Sequence, residues 1–251
     1  MNSQKIKINL EKMLRFKDYR IYYDNKYILK FLLTEIMKDE IYRFSSSSKS
    51  PTIIDCGSNI GLSILYFKML YPTSNIIAFE PHDRNFEILT QNISSNKITD
   101  VELYKLALSD TKSEDCKFWS DFRIGGDTLS GTIIEDLSHL DNFSETHVKA
   151  DKLSHYITEP VDFLKLDIEG AEVNVLRDIS SKLHLVNEIF VEVHSIGSLK
   201  ESVVEIKKIL EDHDFSVSVL GNVFSGSNLY EYIEWFENSG IELSSIKAKR
   251  K

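Results

Sequence analysis

Thr52-Ile53-Ile54-Asp55-Cys56-Gly57-Ser58-Asn59-Ile60-Gly61 carries a short β-branched run into a glycine turn. Residues 62–70 then continue at helical spacing until Tyr71-Pro72 stops them, so the stretch reads as strand, turn, helix. The same rhythm recurs outward toward the C-terminus. Strands are expected over 75–79, 101–106, 163–166 and 188–193, and helices over 83–92, 171–179 and 199–211. Such alternation implies a parallel sheet covered on both faces. Residues 215–220 and 229–233, separated by glycine turns, read as two last strands that pair antiparallel.

Working back toward the N-terminus, Ser45-Ser46-Ser47-Ser48-Lys49-Ser50-Pro51 has the composition of a linker. It divides the chain into a segment 1–50 and a domain 51–251. Within the first, 27–41 spaces Ile28, Phe31, Leu32, Glu35, Ile36 and Met37 as an amphipathic helix, giving a helical extension placed to cover an acceptor site. Two other regions break the βα rhythm. Residues 116–156 are long, polar and glycine-bearing, with Phe118, Trp119 and Phe122 as aromatic candidates for stacking on a substrate, and are expected to project from the sheet. The lysine-rich end, 247–251, is expected to fray.

Composition narrows the function classes. The chain has 251 residues, 42% hydrophobic and 27% charged, and no run approaches the ~18 apolar residues of a membrane span. Its first ten residues lack the apolar block of a signal peptide, which places the chain in the cytoplasm. Cys56 and Cys116 form neither a disulfide framework nor a zinc array. Thirty basic against 39 acidic residues leave a net charge of −9, which disfavours a nucleic-acid partner.

The turn after the first strand is where an open α/β sheet binds nucleotide-like ligands. It lacks the G-x-G-x-x-G of a dinucleotide fingerprint, because Asn59 stands at the second glycine, and Asp55 sets an anion where phosphates would lie. Asp55, Gly57, Asn59 and Gly61 suit S-adenosylmethionine instead, which has no phosphate but carries an ammonium and a sulfonium. Glu80 ends the next strand, where a carboxylate accepts the hydrogen bonds of a ribose diol, and Pro81 and His82 follow it. Ser109 and Asp110, closing the third strand, could contact the base.

Phe163-Leu164-Lys165-Leu166-Asp167-Ile168-Glu169-Gly170-Ala171-Glu172 clusters carboxylates and a lysine where an apolar strand enters a helix. Alternation places Phe163, Lys165 and Asp167 on one face and Leu164 and Leu166 on the other. A buried lysine needs a partner, and Phe190, Glu192 and His194 alternate likewise on the following strand. Lys165 is therefore expected against Glu192, and Asp167 against His194. Helix capping accounts for carboxylates at a helix start, and no metal is assigned.

These ordered motifs, with Phe79-Glu80-Pro81, Ala107-Leu108-Ser109-Asp110 and Val191-Glu192-Val193-His194, resemble the FkbM family of S-adenosylmethionine-dependent methyltransferases over about residues 50 to 195. The resemblance implies a Rossmann-like class I sheet in the order 3-2-1-4-5-7-6 and O-methylation of hydroxyls on sugars, glycans or natural products. Two departures are Ser58, where the first motif usually has alanine, and Leu153-Ser154, where Leu-Asp is common. The reading is a class I O-methyltransferase acting on a small-molecule or glycan hydroxyl, with its oligomeric state open and a homo-oligomer among the options. His194, Asp167, Glu169 and Glu192 are the candidate bases, histidine having the ordinary pKa nearest the need, and Asp167 also borders the cofactor. The rivals are an NAD-dependent Rossmann enzyme, a non-catalytic cofactor-binding partner module, and a metal-assisted O-methyltransferase with Asp167, Glu169 or Glu192 as ligands, against which the capping account stands.

Overall fold

The computed structural model describes residues 12–121, 131–133, 143–196, 199–221 and 241–251. It opens with an antiparallel hairpin, β1 (Met13–Phe16) and β2 (Tyr19–Tyr22), where the sequence suggests only a helical segment. The expected helix follows in two parts, α1 (Lys26–Leu32) capped by the Asn25 side chain, then a π-helical turn over Leu33–Lys38.

Next come β3 (Thr52–Cys56), α2 (Leu62–Leu70), β4 (Asn75–Phe79), α3 (Asp83–Ser95) and β5 (Val101–Tyr104). A second group of strands then leaves the main sheet: β6 (Ala107–Ser109), β7 (Ser113–Asp121), β8 (Gly131–Thr132) and β9 (Phe143–Lys152). The chain returns with β10 (Val161–Leu166), α4 (Glu172–Asp178), β11 (Val186–Ile196), α5 (Leu199–Glu211), β12 (Phe215–Gly221) and β13 (Ile241–Arg250). The seven-stranded sheet runs β5-β4-β3-β10-β11-β13-β12, which is the anticipated 3-2-1-4-5-7-6 order. Only β13 runs against its neighbours.

Period-two alternation sorts the two faces. Ile53, Phe163 and Phe190 join α1, α2 and α3 in one buried cluster, while Ile54, Leu164, Val191 and Val193 join α4 and α5 in the other. The hairpin is bolted onto the first cluster's side by α3. Asn92 accepts from the Tyr22 amide at 2.6 Å and donates to the Ile60 carbonyl at 2.8 Å, and Arg84 grips Asp24 through two nitrogens. Residues 12–50 thus pack on the sheet domain directly.

Three expectations change. Ala107–Ser109 does not close the third strand: β5 stops at Tyr104, and β6 pairs in parallel with β9 in a four-stranded second sheet. Phe118 and Trp119 are buried in that sheet and serve packing; Phe122 lies outside the described residues. The C-terminal lysines do not fray, because Ile246 and Ala248 between them are buried and Arg250 donates to the Val186 carbonyl while lying over the Phe215 ring. The expected strand 229–233 also falls outside the described residues.

Candidate active site

The site forms at the carboxyl edge of β3, β10 and β11. Gly57 and Ser58 both donate their amides to the Phe79 carbonyl, at 3.0 and 2.9 Å, which tightens the turn after β3. Gly57 has φ +82°, and a Cβ there would lie 1.8 Å from the Asp167 carbonyl oxygen. The close approach that demands glycine is therefore that of the chain leaving β10, a protein contact, whereas the sequence suggested a ligand contact. Asn59 also takes a left-handed conformation, φ 48°, and Gly61, φ +87°, enters α2.

Asp55 sits beneath the turn, fully buried. Its Oδ2 accepts from Ser63 Oγ at 2.6 Å, and its Oδ1 accepts no hydrogen bond but lies 3.5 Å from Lys165 Nζ. It supports the turn from inside and offers no exposed charge to a ligand, in contrast to the direct cofactor contact expected. Glu80 is better placed. Its carboxylate accepts from the amides of Asn59 and His82, each at 2.9 Å, and burial pushes its carboxyl up to about 7 against the pull of those bonds. Pro81 is half-buried beside it. Ser109 Oγ is engaged with Asp110 at 3.2 Å and the Thr111 amide at 3.3 Å, at the root of the second sheet.

Lys165 does not pair with Glu192. Its ammonium donates to the Gly57 and Cys56 carbonyls at 2.7 and 3.3 Å and ion-pairs with Asp167 at 3.1 Å as well as Asp55. The register explains the difference, since Lys165 stands opposite Asp55 on β3 and Phe190 on β11. Burial alone would pull this ammonium down, but Asp167 and Asp55 outweigh it and hold it above its ordinary value.

Asp167, Glu169, Glu192 and His194 do converge. His194 Nε2 lies 3.3 Å from Glu169 and 3.7 Å from Glu192, and one atom each of Asp167, Glu192 and His194 fall within 4.8 Å of one another. Burial pushes Glu169 up to about 8, with Asp167, Glu192 and Glu172 adding to it, and pushes Glu192 well up too. Burial would lower His194, yet Glu169, Glu172 and Glu192 together raise it well above its ordinary value. These three carboxylates therefore favour the protonated imidazole over the neutral form in which it would act as a base.

Three further residues complete the cluster: Glu172, which the sequence groups with the other carboxylates, and Tyr42 and Glu35, which it does not place at the site. Glu172, 1% exposed, accepts from the Ile168 and Gly170 amides at 3.1 Å and from His194 Nδ1 at 3.3 Å, fixing the turn and the ring together. Tyr42 donates to Asp167 Oδ2 at 3.2 Å, places its ring under the Lys165 ammonium and stands edge-on to Phe190. Glu35, on the π-helical turn, is pushed up to about 8 by burial and by Asp167, against the pull of Lys165 and His194. A π turn often marks a functional position, and the polar Glu35 in an apolar helical row was the one available signal.

The model of the methyltransferase FkbM domain matches residues 55–217. Methyltransferase 1 of Beauveria bassiana is 28% identical over 229 residues, spanning 84% of this chain and 91% of that protein. The hexuronic acid methyltransferase AglP of Haloferax volcanii is 26% identical over 221 residues, 83% of this chain and 81% of that protein. In fold, the crystal structure of methyltransferase FkbM from Methylobacillus flagellatus superposes with a TM-score of 0.52 at 12% identity, over 81% of this chain and 45% of that one.

Proposed function

Because the chain belongs to the FkbM methyltransferase family, we propose that it transfers a methyl group from S-adenosylmethionine to a hydroxyl oxygen of a sugar, a glycan or a comparable small natural product. The observation that carries this reading is the meeting of Asp167, Glu169, Glu192 and His194 at the sheet edge beside the glycine turn.

The cofactor side fits. Gly57, Asn59 and Gly61 form a tight turn at the end of β3, held from within by Lys165, and Asn59 at the second glycine position argues against a pyrophosphate. Glu80, with protein amides on both oxygens, retains lone pairs for a ribose diol. When bound, S-adenosylmethionine supplies a methyl group activated by its sulfonium.

On the acceptor side, crowded carboxylates repel phosphates but accept hydrogen bonds from hydroxyls. AglP, by its name, acts on a hexuronic acid, which supports a carbohydrate-like acceptor. Glu169, with its carboxyl near 8, is placed to take the hydroxyl proton, while Asp167, Glu192 and His194 orient the oxygen. Most of the acceleration then comes from alignment of the two substrates.

The test is incubation with methyl-labelled cofactor and either nucleotide sugars, oligosaccharides and hydroxylated metabolites or bulk RNA and DNA. Label on a hydroxyl acceptor is expected. Label confined to nucleic acid would overturn the acceptor, and calorimetry showing NAD bound in preference would overturn the cofactor.

A further inference from the structure

Residues 42–46 run back along β10 with the alternation of a strand: Tyr42 and Phe44 are buried, Arg43 and Ser45 exposed. The Tyr42 ring lies under the Lys165 ammonium, Phe44 stacks on the Phe163 ring at a centroid distance of 4.5 Å, and Ser46 Oγ donates to Asp162 Oδ1 at 2.6 Å. Tyr42 and Phe44 thus follow the face of β10 that leads to Asp167, and Ser46 reaches the strand's amino end. That far end is clasped. Asp162 Oδ2 accepts from the Thr52 amide at 2.9 Å, so one carboxylate holds both ends of the serine-rich stretch. The Ser46 amide also donates to the Tyr71 hydroxyl at 3.0 Å.

At the near end this run decides how Asp167 is held. The Lys165 ammonium has three N–H groups for four acceptors within 3.5 Å, namely the Gly57 and Cys56 carbonyls, Asp167 Oδ2 and Asp55 Oδ1. Asp55 Oδ1 is the acceptor left without a donor, although it is fully buried. The ammonium can therefore turn from Asp167 toward Asp55, and by itself it does not fix the Asp167 carboxylate. The Tyr42 hydroxyl, 3.2 Å from the same Oδ2, is the second donor that does.

We infer that residues 42–46 position Asp167 for the reaction, and that Asp162, at the opposite end of β10, is the positioning residue that anchors them. This rests on the methyl-transfer reading. Asp162 acts only through others: its grip on Ser46 sets the path of Phe44 along Phe163, and that path sets the reach of the Tyr42 hydroxyl to Asp167. A carboxylate held by two donors keeps one torsion, and a small misplacement at such a position is costly to alignment.

The full chain is labelled with fluorotyrosine, and the fluorine NMR resonance of Tyr42 is identified by its absence from Tyr42→Phe. Ser46→Ala and Asp162→Asn should each move or broaden this resonance, whereas Ser50→Ala, which cuts only the exposed Ser50–Thr73 contact of the same loop, should leave it in place. Methyl transfer is then followed on the hydroxyl acceptor that takes label from the panel of nucleotide sugars, oligosaccharides and hydroxylated metabolites. Ser46→Ala should lower kcat by roughly 2–10-fold, the worth of one hydrogen bond, with the KM for S-adenosylmethionine unchanged. Added to Tyr42→Phe it should cost no further kcat, because the bond it aligns is already gone. A Tyr42 resonance unmoved in both Ser46→Ala and Asp162→Asn overturns the inference, as does a kcat left at the wild-type value or a loss that adds to that of Tyr42→Phe. Wild-type protein that labels no hydroxyl acceptor strikes the methyl-transfer reading instead, while the fluorine comparison still decides whether Asp162 positions Tyr42.

Discussion

The ammonium of Lys165 lies 2.7 Å from the Gly57 carbonyl oxygen, so a lysine on the fourth strand of the fold holds the glycine turn that follows the first. The same ammonium neutralises Asp55 below and Asp167 beside it. Removing it strands a buried carboxylate. Lys165→Ala is expected to destabilise the fold by about 3–5 kcal/mol in denaturant unfolding. A mutant that unfolds with the wild type would show that the lysine serves the reaction alone.

Gly57 and Gly61 both have positive φ but differ in what surrounds them. A Cβ at Gly57 meets the Asp167 carbonyl oxygen at 1.8 Å, whereas at Gly61 the nearest atom is a Leu89 side-chain carbon at 3.4 Å. Gly57→Ala should therefore separate β3 from β10 and abolish stable folding or cofactor binding, while Gly61→Ala should cost about 1–3 kcal/mol. Thermal melts of the two variants decide it, and equal losses would contradict this account of Gly57.

Glu80 links pH to stability and to the cofactor. Its folded-state value near 7 lies above the ordinary 4.5, so the native state binds the extra proton between those values. The stabilisation is complete below about 4.5 and is lost as pH rises through 7, a swing of roughly 3 kcal/mol. Unfolding of the wild type minus that of Glu80→Gln across pH 4 to 8 should show this fall. Cofactor affinity should move oppositely, rising above pH 7 as the carboxylate becomes a better acceptor for the ribose. Glu80→Ala should weaken it by about 1.5–3 kcal/mol, and unchanged calorimetric affinity would remove Glu80 from the cofactor site.

Tyr42 tests whether residues before the linker belong to the site. Tyr42→Phe keeps the ring against Phe190 and deletes only the bond to Asp167, so it should cost about 0.5–1.5 kcal/mol of stability and lower turnover. Tyr42→Ala should cost about 3–5 kcal/mol by emptying the core at that point. Full turnover in Tyr42→Phe would assign the residue to packing.

Strand, turn and helix order could be read along the chain because each depends on local periodicity. The runs 62–70, 75–79 and 199–211 coincide with α2, β4 and α5, and the face shared by Phe163 and Lys165 follows from the two-residue repeat of any strand. The convergence of Asp167, Glu169, Glu192 and His194 was legible for the same reason, once two parallel strands were taken as neighbours. Pairing across strands was not. Whether Lys165 meets Glu192 or Asp55 depends on register, and register is set by packing of the whole sheet. The places of Tyr42 and Glu35 also lay beyond the sequence, since a hairpin held by Asn92 and Arg84 carries residues 12–50 back over the sheet edge. So did the upward shift of His194, which no single residue dictates: it is the sum of three carboxylates, from β11, from the turn before α4 and from the first residue of α4, brought together by the tertiary fold.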